Sequence, residues 1–175
     1  MRLSKIPGHI AGSSVRISHE ALKLALEESG IEFLAVVPDS DFELLLQSLL
    51  TKGTPIKLIQ LSRESEGMSI CSGLAYGGKK AALLCSYKGF YNSVDSLLGV
   101  AYRTQSSFLI LISEAALPVE ETARDLEHGR HSAALLEVFR MPYYEVKRAE
   151  ELSLIKEAVA RTEDETQPLA VILRW

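Results

Sequence analysis

Six short, mostly apolar runs recur along this chain, at residues 31–37, 56–61, 81–85, 108–112, 143–146 and 169–173, and between them the apolar positions return at helical spacing. Runs this short and continuous read as strands buried on both faces. Strands that alternate with helices are parallel, because each helix carries the chain back to the start of the next strand. The alternation predicts helices at 19–29, 44–50, 64–76, 93–104, 132–139 and 150–161. Ser18 and Gly30 bracket the first, Ser40 and Glu43 have capping-box spacing before the second, and Gly53 closes it. The fold class expected is α/β, with three layers: a six-stranded parallel sheet covered by helices on both faces.

The 175 residues have the length of a single domain, with 1–14 expected to be a loosely ordered start. Nineteen Lys and Arg oppose 23 Asp and Glu, a formal charge of −4 without a basic block, so nucleic acid is not expected as a partner. No apolar run approaches the ~20 residues of a membrane span. The opening residues lack the apolar stretch of a signal peptide, so a cytoplasmic location is expected. Cys71 and Cys85 lie inside apolar segments without metal-ligand spacing and read as two buried free thiols.

In parallel sheets ligands gather beyond the carboxyl ends of the strands, so the segments after Val37, Leu61, Cys85 and Ile112 are where chemistry belongs. After Leu61 comes Ser62-Arg63-Glu64-Ser65-Glu66-Gly67-Met68. Acidic residues in a first helical turn complement the helix dipole and need no other role. The helix that follows, however, contains Gly67, Ser69, Cys71, Ser72, Gly73, Ala75 and Gly77. An interior glycine costs about 1 kcal/mol against alanine, so this composition implies close approach by another backbone. Glu64, Met68, Cys71 and Ala75 share one helix face, which puts the Glu64 carboxylate at the head of the tight contact. Glu66 is a second candidate carboxylate, about 200° around the helix.

Several segments together carry a family resemblance. They are Arg63-Glu64 after a strand, Gly73 nine positions beyond Glu64, Gly78-Lys79-Lys80 before an apolar run, Gly30-Ile31-Glu32-Phe33 leading into Val37-Pro38-Asp39-Ser40, Gly89 with Asn92-Ser93, and Met141-Pro142-Tyr143. Over residues 18–174 the chain resembles the pyrimidine-binding domain of thiamine-diphosphate enzymes, above all the alpha subunit of sulfopyruvate decarboxylase and the matching half of phosphonopyruvate decarboxylase. The resemblance implies that Glu64 is catalytic, hydrogen-bonding the pyrimidine ring nitrogen of thiamine diphosphate, while the cofactor is the electron sink for loss of carbon dioxide from a small anionic 2-oxo acid. It further implies that Pro38, Gly89, Phe90 and Asn92 face the cofactor, with Phe90 and Tyr91 placed to stack on the pyrimidine. Ser40 and Lys88 would face a substrate such as sulfopyruvate or phosphonopyruvate.

In Glu127-His128-Gly129-Arg130-His131, His128 matches a stretch that carries catalytic His in pyruvate-decarboxylase-like relatives. Arg130 and His131 would meet the sulfonate or phosphonate, groups that need cationic partners. The pattern also departs from the family, which usually has Ser-Gly-x-Gly before Asn-Ser; Lys88 and Tyr91 stand at the Ser and second Gly positions. Each motif also has a purely structural reading. Pro38 ends a strand, Ser40 and Asn92 cap helices, Gly89 permits a turn, and 127–131 is a solvated loop.

Relatives bind the diphosphate through Mg²⁺ held by a Gly-Asp-Gly segment and a later Asn in a second domain, and this sequence contains no Gly-Asp-Gly. The expectation is an alpha subunit without metal ligands, inactive alone, whose partner beta subunit holds the Mg²⁺ and the diphosphate. The small-residue helix also suggests self-association. Two other readings remain: a regulatory subunit that keeps the fold without a working site, and a doubly wound protein for an unrelated small ligand.

Overall fold

The computed structural model describes residues 17–114 and 131–174; the expected loose start at 1–14 lies outside them. The elements are α1 (His19–Glu28), β1 (Phe33–Val36), α2 (Glu43–Thr51), β2 (Lys57–Gln60), α3 (Glu64–Tyr76), β3 (Ala81–Ser86) and α4 (Tyr87–Asn92). There follow α5 (Val94–Ser96), β4 (Leu109–Ser113), α6 (Ser132–Val138), β5 (Tyr143–Val146), α7 (Ser153–Arg161) and β6 (Leu169–Leu173). Every strand pairing is parallel, and the order is β2-β1-β3-β4-β6-β5. This is the six-stranded parallel sheet that the alternation predicts. From β1 the chain runs outward to β2, then returns to lay β3 on the other side of β1, so β1 and β3 flank the switch point.

Alternate residues of each strand feed opposite layers. On one face Leu34, Val36, Leu84, Leu111 and Val171 pack under α1, α2 and α7 through Leu22, Leu26, Leu45, Leu49, Ile155 and Val159. On the other, Ala35, Leu83, Cys85, Ile110 and Ile172 pack under α3, α4 and α6 through Met68, Cys71, Phe90 and Leu136. Each such side chain contributes about 1.5–3 kcal/mol when fully buried, so the helices are held by the sheet more than by their own propensity. Among the described residues no helix is long and apolar enough to cross a membrane.

Three local expectations change. The Ser40/Glu43 capping box does not form; Asp39 caps instead, accepting from the Asp41 N–H at 3.3 Å and the Ser40 hydroxyl at 3.2 Å. A 3-10 turn, Ser40–Phe42, then drives Phe42 fully into the core, and α2 begins directly after it at Glu43. The turn expected around Gly89 is instead the helix α4, which starts without a loop at the end of β3. Ser86 caps it by accepting from the Gly89 N–H at 3.4 Å, and the Ser93 hydroxyl closes it by donating to the carbonyls of Gly89 at 2.9 Å and Phe90 at 3.0 Å. Finally, the helix expected at 93–104 is the short α5 running into a π-helical segment, Leu97–Tyr102.

Candidate active site

Glu64 opens α3 and is half-buried at the head of the face formed by the fully buried Met68 and Cys71. Its carboxylate lies directly against the Cα of Gly89 in α4. A Cβ added at Gly89 would overlap the Glu64 carboxyl group and come within 2.7 Å of its Cγ. The two residues singled out in separate segments are therefore in contact, beyond the carboxyl ends of the strands. The negative charge of Glu64 also reaches Cys85, whose thiol is pushed far up first by burial and then by Glu64 and Cys71. Burial pushes the Cys71 thiol up to about 12. Both cysteines are free and buried, as expected.

Glu66 does different work. Its Oε2 accepts from the backbone N–H groups of Ser62 at 3.1 Å and Arg63 at 3.2 Å, which caps the start of α3. Gly67 answers to packing inside the chain: a Cβ there would stand 2.5 Å from Leu83 and 2.7 Å from Leu61. Gly73, by contrast, faces open space.

A second group of polar residues assembles at the ends of β1, β3 and β4. Asp41 is half-buried, and the Ser113 hydroxyl donates to its Oδ2 at 3.3 Å. Burial, then the neighbouring Asp39, raises the Asp41 carboxyl above its ordinary value, against the opposing pull of Ser113 and of the Lys88 ammonium. Lys88 is exposed on α4, with Nζ 5.5 Å from the Tyr87 ring centroid. Pro38 and Ser40 are exposed on the loop after β1. The arrangement is a rim of mixed charge, two carboxylates (Asp39 and Asp41) and the Lys88 ammonium, next to the Glu64–Gly89 contact.

The remaining predicted residues are dispersed. Phe90 is fully buried in the core, where its ring packs 6.2 Å from that of Tyr91. Asn92 is exposed at the last position of α4, and His131 is exposed just before α6. His128 and Arg130 lie outside the described residues. Sequence reasoning missed Asp41, Ser113 and Glu114, the residue after β4, whose Oε2 lies 2.6 Å from Arg174 Nη1. Their signal was position alone, since each stands just past the end of an apolar run, and strand register decides which of them meet.

The layered parallel fold has counterparts among solved structures. A 2-oxoglutarate:ferredoxin oxidoreductase from Magnetococcus marinus matches with a TM-score of 0.66 and 19% identity over 92% of this chain. A Mycobacterium smegmatis protein assigned to the thiamin diphosphate-dependent enzymes matches with 0.69 and 18% over 89%. This chain spans 29% and 30% of those chains. The fold is thus the one found in thiamine-diphosphate-dependent enzymes. No protein-family model matches the sequence.

Three curated relatives do. Sulfopyruvate decarboxylase subunit alpha of Methanococcus maripaludis is 30% identical over 155 residues, 88% of this chain and 92% of the relative. That of Methanocaldococcus jannaschii is 31% identical over 153 residues, 87% and 90%. The chain belongs to the sulfopyruvate decarboxylase alpha-subunit family. It also matches 36% of the length of a sulfopyruvate decarboxylase from Methanosarcina acetivorans, at 24% identity over 82% of this chain.

Proposed function

We propose that this chain is the alpha subunit of a two-chain 2-oxoacid decarboxylase that uses thiamine diphosphate and acts on sulfopyruvate or phosphonopyruvate. The observation that carries the reading is the apposition of Glu64 and Gly89. A residue with any side chain at 89 would displace the carboxylate, so the bare Cα preserves a half-buried acid at the head of the Met68–Cys71 face. That setting fits an aminopyrimidine, since a carboxyl group held in place can hydrogen-bond a ring nitrogen and take part in proton transfer there. When bound, the cofactor supplies the electron sink for loss of carbon dioxide.

Pro38, Gly89 and Asn92 are the further groups assigned to the cofactor, and Phe90 supports Gly89 from inside the core. Ser40 and Lys88 are assigned to the substrate's anionic end, with Arg130 and His131 toward its sulfonate or phosphonate and His128 as a proton donor. Asp41 stands beside Ser40 with its carboxyl raised above its ordinary value by burial and by Asp39, against the opposing pull of Ser113 and Lys88.

A partner is part of this reading. The two relatives of similar length are called alpha subunits. The sequence lacks Gly-Asp-Gly, and among the described residues no group of three or more His, Cys, Asp or Glu could hold a metal ion. The Mg²⁺ and the diphosphate are therefore assigned to a beta subunit, with the cofactor between the chains. The test is to co-express the chain with a partner carrying Gly-Asp-Gly and to measure carbon dioxide release from both acids. Glu64→Gln should lower kcat by about 100-fold or more, and full activity in that variant overturns the assignment. The departures at Lys88 and Tyr91 favour the regulatory reading as the second choice; cofactor binding with turnover excludes it.

A further inference from the structure

The strand β4 ends on a polar residue where its pattern calls for an apolar one. Ser113 continues the register of Leu109 and Leu111, whose side chains enter the layer of α1, α2 and α7, and it is fully buried there. A buried hydroxyl costs stability unless it is hydrogen-bonded. The Ser113 hydroxyl donates to Asp41 Oδ2 at 3.3 Å, and Asp41 belongs to the 3-10 turn that follows β1.

The strands β1 and β4 are not neighbours, for β3 lies between them. Adjacent strands stand about 4.8 Å apart, so the hydrogen bond bridges a gap of about 10 Å, more than an aspartate side chain spans. The turn itself therefore crosses the carboxyl end of β3. That is the point where Ser86 ends the strand and α4 begins without a loop, with Gly89 and the exposed Lys88 in its first turn.

Three features hold the turn in this place. Asp39 shapes it, accepting from the Asp41 N–H and the Ser40 hydroxyl through its side chain and from the Phe42 N–H through its carbonyl at 3.0 Å. Phe42, fully buried, seats its far end in the core. The Asp41–Ser113 bond reaches across to β4. Glu64 and Gly89 lie with α3 and α4 over the opposite face of the sheet, so their contact does not depend on that bond.

We propose that Asp41 and Ser113 are positioning residues for substrate entry: their bond straps the Pro38–Ser40 loop across the end of β3 and fixes its distance from α4. That distance sets the opening between Ser40 and Lys88, the groups assigned above to the anionic end of the substrate. This consequence rests on the decarboxylase reading; the strap itself does not. The strap governs binding and leaves the proton chemistry at Glu64 untouched.

Hydrogen exchange on the full chain tests the strap, and kinetics of the assembled complex tests its purpose. Ser113→Ala and Asp41→Ala should each speed exchange of the Asp41 and Phe42 amides by about fivefold and leave 64–76 and 132–138 unchanged. The double variant should be no faster than either single one, because one bond joins the pair. Asp41→Asn keeps an oxygen that accepts from Ser113 and should retain most of the protection. In the complex Ser113→Ala should raise KM about fivefold while kcat stays within about twofold, and Asp41→Asn should keep KM near the wild-type value. A KM changed by Asp41→Asn and not by Ser113→Ala would assign the effect to charge and overturn the strap's role. If Asp41→Ala does not fold, Ser113→Ala decides, since it removes a single oxygen. Wild-type exchange of both amides in Ser113→Ala overturns the strap whatever the activity, and faster exchange with an unchanged KM overturns its part in substrate entry. Full activity in Glu64→Gln overturns the decarboxylase reading and leaves the exchange result intact.

Discussion

Glycine inside a six-residue helix weakens it, and at position 89 the neighbour explains the choice. Because the Glu64 carboxyl occupies the space of the missing Cβ, Gly89→Ala should force Glu64 out. The far end of a flexible, half-buried side chain can move aside, so the expected stability change is within about 1 kcal/mol, and the main effect is weaker cofactor binding by the assembled complex. Thermal melting and calorimetric titration check the two parts separately. Cys71 and Cys85 make a second prediction at this scale. With both thiols buried and shifted upward, neither should react with a thiol reagent in the native protein at pH 8, and both should react once it is denatured.

Within α3 the glycines divide by what lies opposite them. Gly67→Ala would press on Leu83 and Leu61 and should destabilise by about 1–3 kcal/mol. Gly73→Ala meets open space and should stabilise the isolated chain by up to about 1 kcal/mol, through helix propensity alone. Melting of the isolated chain distinguishes them, and weaker assembly of Gly73→Ala with a second chain would mark that flank as covered in the complex. The inward face of α3 was legible because Met68 and Cys71 keep helical spacing from Glu64. The helix α4 was not. Tyr87, Gly89, Tyr91 and Asn92 are poor helix formers, and what holds them helical is tertiary: Phe90 in the core, Ser86 and Ser93 at the ends. The capping box at Ser40 misled for a similar reason, since burial of Phe42 decided where α2 begins.

Across the whole molecule, the sheet was readable from six apolar runs, whereas its strand order was not. Asp41 meets Ser113, and Glu114 meets Arg174, only because β4 lies between β3 and β6 with Ser113 opposite both Ser86 and Leu173. No short-range pattern carries that register. Its electrostatic consequence can be measured. Asp41 and Glu114 hold protons more tightly in the folded chain than in the unfolded one, so their contribution to stability is full below the ordinary carboxylate value of about 4 and declines as pH rises through their raised folded values. Denaturant midpoints should therefore fall less steeply over that window in Asp41→Asn and Glu114→Gln than in the wild type. Glu32 has the opposite sign: the Lys80 N–H and Lys79 lower its pKa, so its small exposed contribution is lost at the acid end.

The loopless junction between β3 and α4 also limits how this protein can change. Ser86 ends the strand and caps the helix, so the rotational phase of α4 is geared to the pleat of the sheet. One residue inserted before Gly89 would turn the helix by about 100° and swing a side chain into the place of the bare Cα. Variants that alter this pocket can be sought by exchanging residues, but a library that varies length between Cys85 and Gly89 should yield almost no survivors.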